Sequence, residues 1–271
     1  MKLKDKVAIV TGTSPNIGGG LADALAEAGA AVVCVDAVAD NAKDCAEAIK
    51  KAGGRAIGVT CDVTDEGQVE ATVAAAYEAF GGLDVLVNNA AIFNKKGVLD
   101  MSIAEWRKQT DIILGGSFLF TKHAAKGMIG RKTKGSMINI ISTAGHQGEP
   151  GNVAYSTSKC GLMNFTRSVA MELVGYGIRV NSLTPTATDP NEGFERARRW
   201  GRTVNVPPEL ATRMEPFRKG IPMQQLPSPM DYGRAAVFLA SDDAAMITGT
   251  DLRVDAGAVA RYWAWDGHSK W

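Results

Sequence analysis

Ser142, Tyr155 and Lys159 are the side chains in this sequence best suited to moving a proton, and they stand within eighteen positions of one another. If the chain is helical from Val153 onward, Tyr155 and Lys159 lie one turn apart on one face. A phenol has an ordinary pKa of about 10 and is a poor base near neutrality. An ammonium held beside it favours the phenolate and lowers that pKa, which makes the phenol usable as acid or base. Ser142 is then placed to donate a hydrogen bond to an oxygen on which charge develops. Such a set transfers protons and calls for a redox partner.

The N-terminal segment supplies a site for one. Lys6 to Gly12 is an apolar, β-branched run that ends at a glycine; Thr13 to Gly20 follows as a turn, then a helical pattern from Leu21 to Ala28 closed by Gly29. A strand, a tight turn and a helix N-terminus bring backbone N–H groups to a pyrophosphate. The next apolar run, Ala31 to Val35, ends in Asp36, an acid that can accept hydrogen bonds from an adenosine ribose and would repel a 2′-phosphate. No Lys or Arg stands in the Thr13 to Gly20 turn or directly after Asp36, so the expected cofactor is NAD.

At these residues the chain resembles the short-chain dehydrogenase/reductase family, from about Lys6 to Gly257. The matching motifs are Thr11-Gly12…Gly18, Asp62-Val63, Asn88-Asn89-Ala90, Ser142 and Tyr155…Lys159, and Gly249 to Gly257 looks like the family's last strand. The resemblance implies a catalytic triad of Ser142, Tyr155 and Lys159. It also implies a cofactor site of Gly12, Asn16, Ile17, Gly18, Asp36, Asp62, Val63, Asn89, Ala90, Pro185 and Thr188, with Tyr155 and Lys159 adding to it. Asp62 and Val63 would meet the adenine, Thr188 the nicotinamide amide and Lys159 the nicotinamide ribose. Asp62 could instead cap the following turn, and Asp36 a helix.

Four positions depart from the family pattern. Asn16 replaces the middle glycine of the turn, a tolerable change because Asn enters the left-handed region readily. Ala91 and Thr186 replace glycines and add bulk near the cofactor. Ile113 falls where the family usually has an Asn tied to a water relay to the lysine, so the triad is kept and the tetrad is not. Only the Ile113 backbone carbonyl could hold such a water.

The elements that must position these groups alternate strand and helix. Strands are expected at Lys6–Gly12, Ala31–Asp36, Ala56–Val63, Leu83–Asn89, Ser136–Ser142, Ile178–Leu183 and Leu252–Val254. Helices are expected at Ala39–Ala52, Glu66–Phe80, Ser102–Ile112, Leu114–Arg131 and from Val153 to about Tyr176. This β-α alternation predicts an α/β fold: a single doubly wound Rossmann-type domain, with a mostly parallel seven-stranded sheet between helices. Gly12, Asp36, Asp62, Asn89, Ser142 and Pro185 all fall at strand C-terminal ends, where such sheets bind ligands.

The chain of 271 residues, 45% hydrophobic, is long enough for one large core, and its net charge of +1 gives no electrostatic case for nucleic acid or membrane partners. The first apolar run is too short for a signal sequence or a span. Cys34, Cys45, Cys61 and Cys160 show neither metal spacing nor disulfide density, and three histidines do not suggest a metal. A cytoplasmic enzyme with reduced thiols is expected.

Eight of the ten prolines lie between Pro185 and Pro229, around a basic stretch from Glu195 to Arg202. The resemblance places a substrate-covering lid here, at about residues 186–228. Arg196, Arg198, Arg199 and Arg202 could grip an anion or could form a solvated face. His146 could face substrate or sit on a surface loop. The C-terminal stretch, about residues 258–271, carries three tryptophans, expected to pack on the domain or across an interface of the dimer or tetramer common in the family. The function expected is hydride transfer between NAD and a secondary alcohol or ketone. Ile92, Phe93, Met163 and Trp200 hint at a hydrophobic or cyclic substrate. An NAD-binding sensor without turnover, or an epimerase or lyase on the same fold, is the alternative.

Overall fold

The strands form because short β-branched runs alternate between two faces that are both covered. In the computed structural model, which describes residues 1–262 and 264, β1 (Val7–Thr11) and β2 (Ala31–Asp36) send Ala8, Val10, Val32 and Cys34 to one core. Val7, Ile9, Val33 and Val35 go to the other. A run apolar on both faces is what a strand buried between helix layers requires. The remaining strands are β3 (Arg55–Thr60), β4 (Val85–Asn88), β5 (Ser136–Ile140), β6 (Arg179–Pro185) and β7 (Asp251–Val254). All six pairings are parallel, in the order β3-β2-β1-β4-β5-β6-β7. The strand order reverses between β1 and β4, which opens a crevice at their C-terminal ends.

The helices are α1 (Ile17–Glu27), α2 (Ala39–Lys51), α3 (Glu66–Phe80), α4 (Ile103–Thr110), α5 (Gly116–Gly130), α6 (Val153–Leu173), α7 (Pro190–Arg199), α8 (Leu210–Gly220) and α9 (Pro229–Ala240). One core lies under α1, α2 and α9, the other under α3, α5 and α6. A buried polar ladder crosses the second layer. Asn88 Nδ2 donates to Asn139 Oδ1 at 2.9 Å, and Asn139 Nδ2 donates to Thr166 Oγ1 at 2.9 Å, fastening β4 and β5 to α6.

Three differences from the sequence reading have physical causes. Between α4 and α5 the chain does not break but widens into a π-turn, Asp111–Gly115. The sequence reading passed over α9, although Ser228 caps it through a capping box with Asp231 and Pro229 opens it. α9 fills the groove beside α1, where a Cβ on Gly20 would sit 2.5 Å from Pro229 and one on Gly233 2.5 Å from Ala24. The connection from β6 to β7 holds two further helices, α7 and α8, where one basic helical stretch was expected. The tryptophans of the tail, Trp263, Trp265 and Trp271, lie outside the described residues.

Candidate active site

The glycine turn is closed by side chains from β1 and β4. Gly12 stands at φ +70°, and a Cβ there would meet Ala90 Cα at 2.9 Å. At Gly18 a Cβ would lie 1.9 Å from the Gly12 carbonyl oxygen, so only glycine fits. Asn89 Nδ2 donates to the carbonyls of Thr11 and Gly12, each at 2.9 Å, while the N–H groups of Asn89 and Ala90 donate to Thr11 Oγ1. Asn89 and Ala90 therefore brace the turn. Asn16 caps α1 at φ −86°, so the left-handed tolerance invoked for it is not used. Its side chain makes no capping hydrogen bond, and no acid stands in the first turn of α1. The Gly19 N–H is taken by the Ser14 carbonyl at 2.8 Å, and the Ile17 and Gly18 N–H groups stay available to an anion.

A cavity of about 370 Å³ runs past this turn, lined by Gly12, Ser14, Asn16, Ile17, Gly18, Asp36, Asn41, Asn89, Ala91 and Phe93. Asp36 Oδ1 accepts the Val38 N–H at 2.9 Å, which leaves its second oxygen for a ligand. The wall holds no Lys or Arg. Arg202 reaches Asn41 Oδ1, but its charge is paired with Asp44 at 2.7 Å. Asp62 stands apart from the wall: its Oδ1 accepts from the Thr64 N–H and hydroxyl, the turn-capping alternative raised by the sequence. Val63 is buried, with its side chain packed on Gly116.

A second cavity, of about 520 Å³, adjoins the first and shares Asn16 and Phe93 with it. Ser142, Thr143, Ala144, Tyr155, Thr186, Ala187 and Thr188 line one side, and Leu210, Arg213, Met214 and Phe217 of α8 another. The strand-end loop after β5 presents Ser142, and the first turn of α6 presents Tyr155. The Phe93 ring meets Tyr155 edge-on, with centroids 5.8 Å apart. Pro185 ends β6, paired with Val254. The Thr188 hydroxyl donates to the Thr186 carbonyl at 3.1 Å and lies 3.2 Å from the Tyr232 hydroxyl, which tightens the turn after β6.

The electrostatics of the triad differ from the simple pairing of phenol with ammonium. Lys159 is only 2% exposed, and its Nζ donates to the Ile140 carbonyl at 2.6 Å. It lies 5.6 Å from the centre of the Tyr155 ring. Burial lowers the Lys159 pKa to about 7, so near neutrality the amine carries only part of a charge. Burial also raises the Tyr155 phenol, while its hydrogen-bonding neighbour Ser142 pulls it back down and the Glu149 charge raises it further. In this arrangement desolvation outweighs any help from the lysine.

Ile113 closes the back of the site. It is fully buried in the π-turn and packs with Ile141 and Leu162, against Tyr155 and Met163. Its carbonyl, the one group there that could hold a water, accepts the Ser117 hydroxyl at 2.7 Å. Of the residues that hinted at a substrate surface, Phe93 lines the cavity of Ser142 and Tyr155, and Ile92, Met163 and Trp200 do not. Trp200 packs on the α1/α2 core, beside Asp23, Ala26 and Ile49. His146 does not line the cavity and is only partly exposed: its Nε2 lies 3.0 Å from Thr184 Oγ1 and 3.2 Å from Asp251 Oδ2, pinning the Ser142 loop to β6 and β7.

The arginines of the basic stretch are not gathered at the site. Arg196 is 1% exposed and donates to Asp23 at 2.8 Å, Glu192 at 2.6 Å and the Pro15 carbonyl at 3.0 Å. It clasps α7 to α1 and to the glycine turn. Asn41, Lys95, Glu149 and, on α8, Leu210, Arg213, Met214 and Phe217 are among the wall residues that sequence reading missed. Asn41 carried a signal, being five residues past Asp36 at the start of α2; α8 has no strong periodicity to point to its four. Among the described residues no group of His, Cys, Asp and Glu could hold a metal, and no helix is long and apolar enough to cross a membrane.

The chain as a whole has counterparts among known proteins. A family model described as Enoyl-(Acyl carrier protein) reductase matches residues 12–259. The chain is 39% identical over 257 residues to cis-4-hydroxycyclohexanecarboxylate dehydrogenase of Sinomonas cyclohexanicum, covering 94% of this chain and 97% of that one. It is 36% identical over 256 residues to 2,5-dichloro-2,5-cyclohexadiene-1,4-diol dehydrogenase of Sphingobium indicum, at 94% and 97% coverage. Among solved structures, a short-chain type dehydrogenase/reductase from Mycobacterium marinum superposes with a TM-score of 0.83 at 30% identity, covering 96% of this chain and 97% of that one. A match that spans nearly the whole chain in sequence and in fold means that this protein belongs to the short-chain dehydrogenase/reductase family, oxidoreductases that work with a nicotinamide cofactor.

Proposed function

We propose that the protein is an NAD-dependent dehydrogenase of cyclic or otherwise hydrophobic secondary alcohols, running in reverse as a ketone reductase. The observation that carries this reading is the junction of the two cavities. Ser142 and Tyr155 line the one, the glycine turn and Asp36 line the other, and Asn16 and Phe93 belong to both. A dinucleotide bound in the first cavity, with its nicotinamide at the junction with the second, would supply the hydride acceptor or donor. Ile17 and Gly18, at the open N-terminus of α1, would hold its pyrophosphate, and Asp36 its adenosine ribose. A 2′-phosphate would meet the Asp36 carboxylate with no cation on the wall to offset it, which supports NAD over NADP.

The residues of the second cavity handle the proton and the oxygen. Ser142 donates a hydrogen bond to the substrate oxygen and stabilises the charge that grows on it. The Tyr155 phenol, kept protonated by burial, gives its proton to that oxygen in reduction and takes one in oxidation after it has ionised. Lys159 fixes the second turn of α6 against β5 through the Ile140 carbonyl. Phe93, Leu210, Met214 and Phe217 give an apolar wall suited to a ring. The two relatives are named for cyclic alcohols, which agrees with that wall. Assembly as a homodimer or homotetramer is part of this proposal.

The test is NADH formation from NAD⁺ with a panel of cyclic secondary alcohols, with NADP⁺ in parallel. Tyr155→Phe should lower kcat by about 10³-fold and leave NADH affinity, read by fluorescence titration, within about twofold of the parent. Equal turnover with NADP⁺ would remove the cofactor assignment, and turnover that survives in Tyr155→Phe would remove the role of the phenol.

A further inference from the structure

Among the described residues most cations on the long connection between β6 and β7 are held by acids, and Arg198 and Arg213 are not. Arg196 and Arg202 are committed to Asp23, Glu192 and Asp44, and Arg218 to Glu215. Arg213, on α8, lines the cavity of Ser142 and Tyr155, and so does Lys95 from the segment between β4 and α4. Among the described residues neither Arg213 nor Lys95 has an ion-pair or hydrogen-bond partner. Their neighbours in sequence do: Lys96 pairs with Glu105 at 2.6 Å, and Lys219 with Glu215 at 3.3 Å. Lys95 is moreover held at φ 52°, in the left-handed region that a residue with a side chain enters at a cost.

Glu149 is the one acid on this wall, and its Oε2 accepts from Asn152 Nδ2 at 3.0 Å. Two cations against one carboxylate leave the cavity with a positive excess. The rest of the wall is divided between the hydroxyls around Ser142 and the apolar Phe93, Met214 and Phe217. A neutral alcohol would use the hydroxyls and the apolar wall and leave both cations, whose side chains are exposed, to solvent. A guanidinium fork suits a carboxylate in two parallel hydrogen bonds.

We infer that the substrate is a hydroxy acid, an alcohol whose apolar frame also carries a carboxylate, and that Arg213, helped by Lys95, is the residue that selects it. This rests on the alcohol-dehydrogenase reading for the hydroxyl end and on the unpaired cations for the acid end. The anion grip anticipated for the basic stretch thus belongs to the next helix. Glu149 orients the ligand by repelling its carboxylate from the Tyr155 side, so that the hydroxyl points to the phenol.

The test separates binding from turnover. Cyclohexanecarboxylate, benzoate and hexanoate are titrated by calorimetry against the full chain in the presence of NADH, each beside its neutral amide. Hydroxylated acids and their amides are then assayed for NADH formation. The acids should bind about tenfold more tightly than their amides, and Arg213→Gln should erase that preference through affinity and KM rather than kcat. Arg213→Lys should keep part of it, and Arg218→Gln, which removes the same charge from the outer part of α8, should keep all of it. Equal binding of every acid and its amide overturns the inference, as does an equal loss for both in Arg213→Gln. Carboxylate binding that depends on Arg213, without turnover of any alcohol, would uphold the acid site and overturn the dehydrogenase reading instead.

Discussion

Tyr155 and Lys159 are spaced as a proton-transfer pair in the sequence, yet burial decides how each titrates. Lys159 lies in a dry pocket with one carbonyl for company, which brings its pKa from 10.5 to about 7. Between those two values the unfolded chain holds a proton that the native protein lacks. Stability therefore rises with pH across that window, and below it the native state must carry a buried ammonium. Lys159→Met removes this contribution. The variant should be more stable than the parent at about pH 6 to 7, and the difference should shrink steadily toward about pH 10. Melting temperatures of both proteins across that range check the sign; parallel curves would mean that Lys159 keeps its proton in the native state. The spacing of Ser142, Tyr155 and Lys159 was legible because α6 is one regular helix. The direction of the pKa shifts was not, because Ile113 of the π-turn and Ile141 just past β5 arrive from other parts of the chain to pack with Leu162 of α6 against Tyr155.

At the scale of elements, the glycine turn depends on helix α7 as much as on its own glycines. The Arg196 guanidinium holds α1 through Asp23, its own helix through Glu192 and the turn through the Pro15 carbonyl. Arg196→Met leaves two carboxylates without their buried partner and should cost about 3–5 kcal/mol of stability. It should also weaken NADH binding, because Pro15 loses its donor. Urea denaturation with and without NADH reads both effects, and a second change, Asp23→Leu, should recover part of the stability but not the affinity. A stability loss with NADH affinity unchanged would limit Arg196 to holding the helices together. A sequence read in windows finds what is local: the run from Glu66 to Phe80 is α3 to the residue, capped by Asp65. It could show that Arg196 sits on a basic stretch, but not that its partner Asp23 waits on a helix 173 positions away. The fate of His146 was hidden for the same reason, since Thr184 and Asp251 arrive on later strands.

For the whole molecule, the doubly wound sheet was legible from its rhythm: strands apolar on both faces, each followed by a helix, with glycine and acid at the ends. Only the degree was understated, since all seven strands are parallel. That topology has a consequence in time. A parallel sheet has no hairpins, so Ala8 of β1 must wait for Val85 of β4, and Ser182 of β6 for Asp251 of β7. Sheets closed over such separations fold slowly, and chains of this size pass through intermediates. The glycine turn is unbraced until β4 brings Asn89 to the carbonyls of Thr11 and Gly12. Before that moment there is little for a dinucleotide to recognise. NADH should therefore leave the main refolding rate unchanged while slowing unfolding in proportion to its occupancy, with rates measured by intrinsic fluorescence after dilution from, or into, urea. Faster refolding with NADH would mean that the turn is braced early. In the expected case the cofactor guides no step of folding: it arrives at a finished site and lengthens the life of the folded chain.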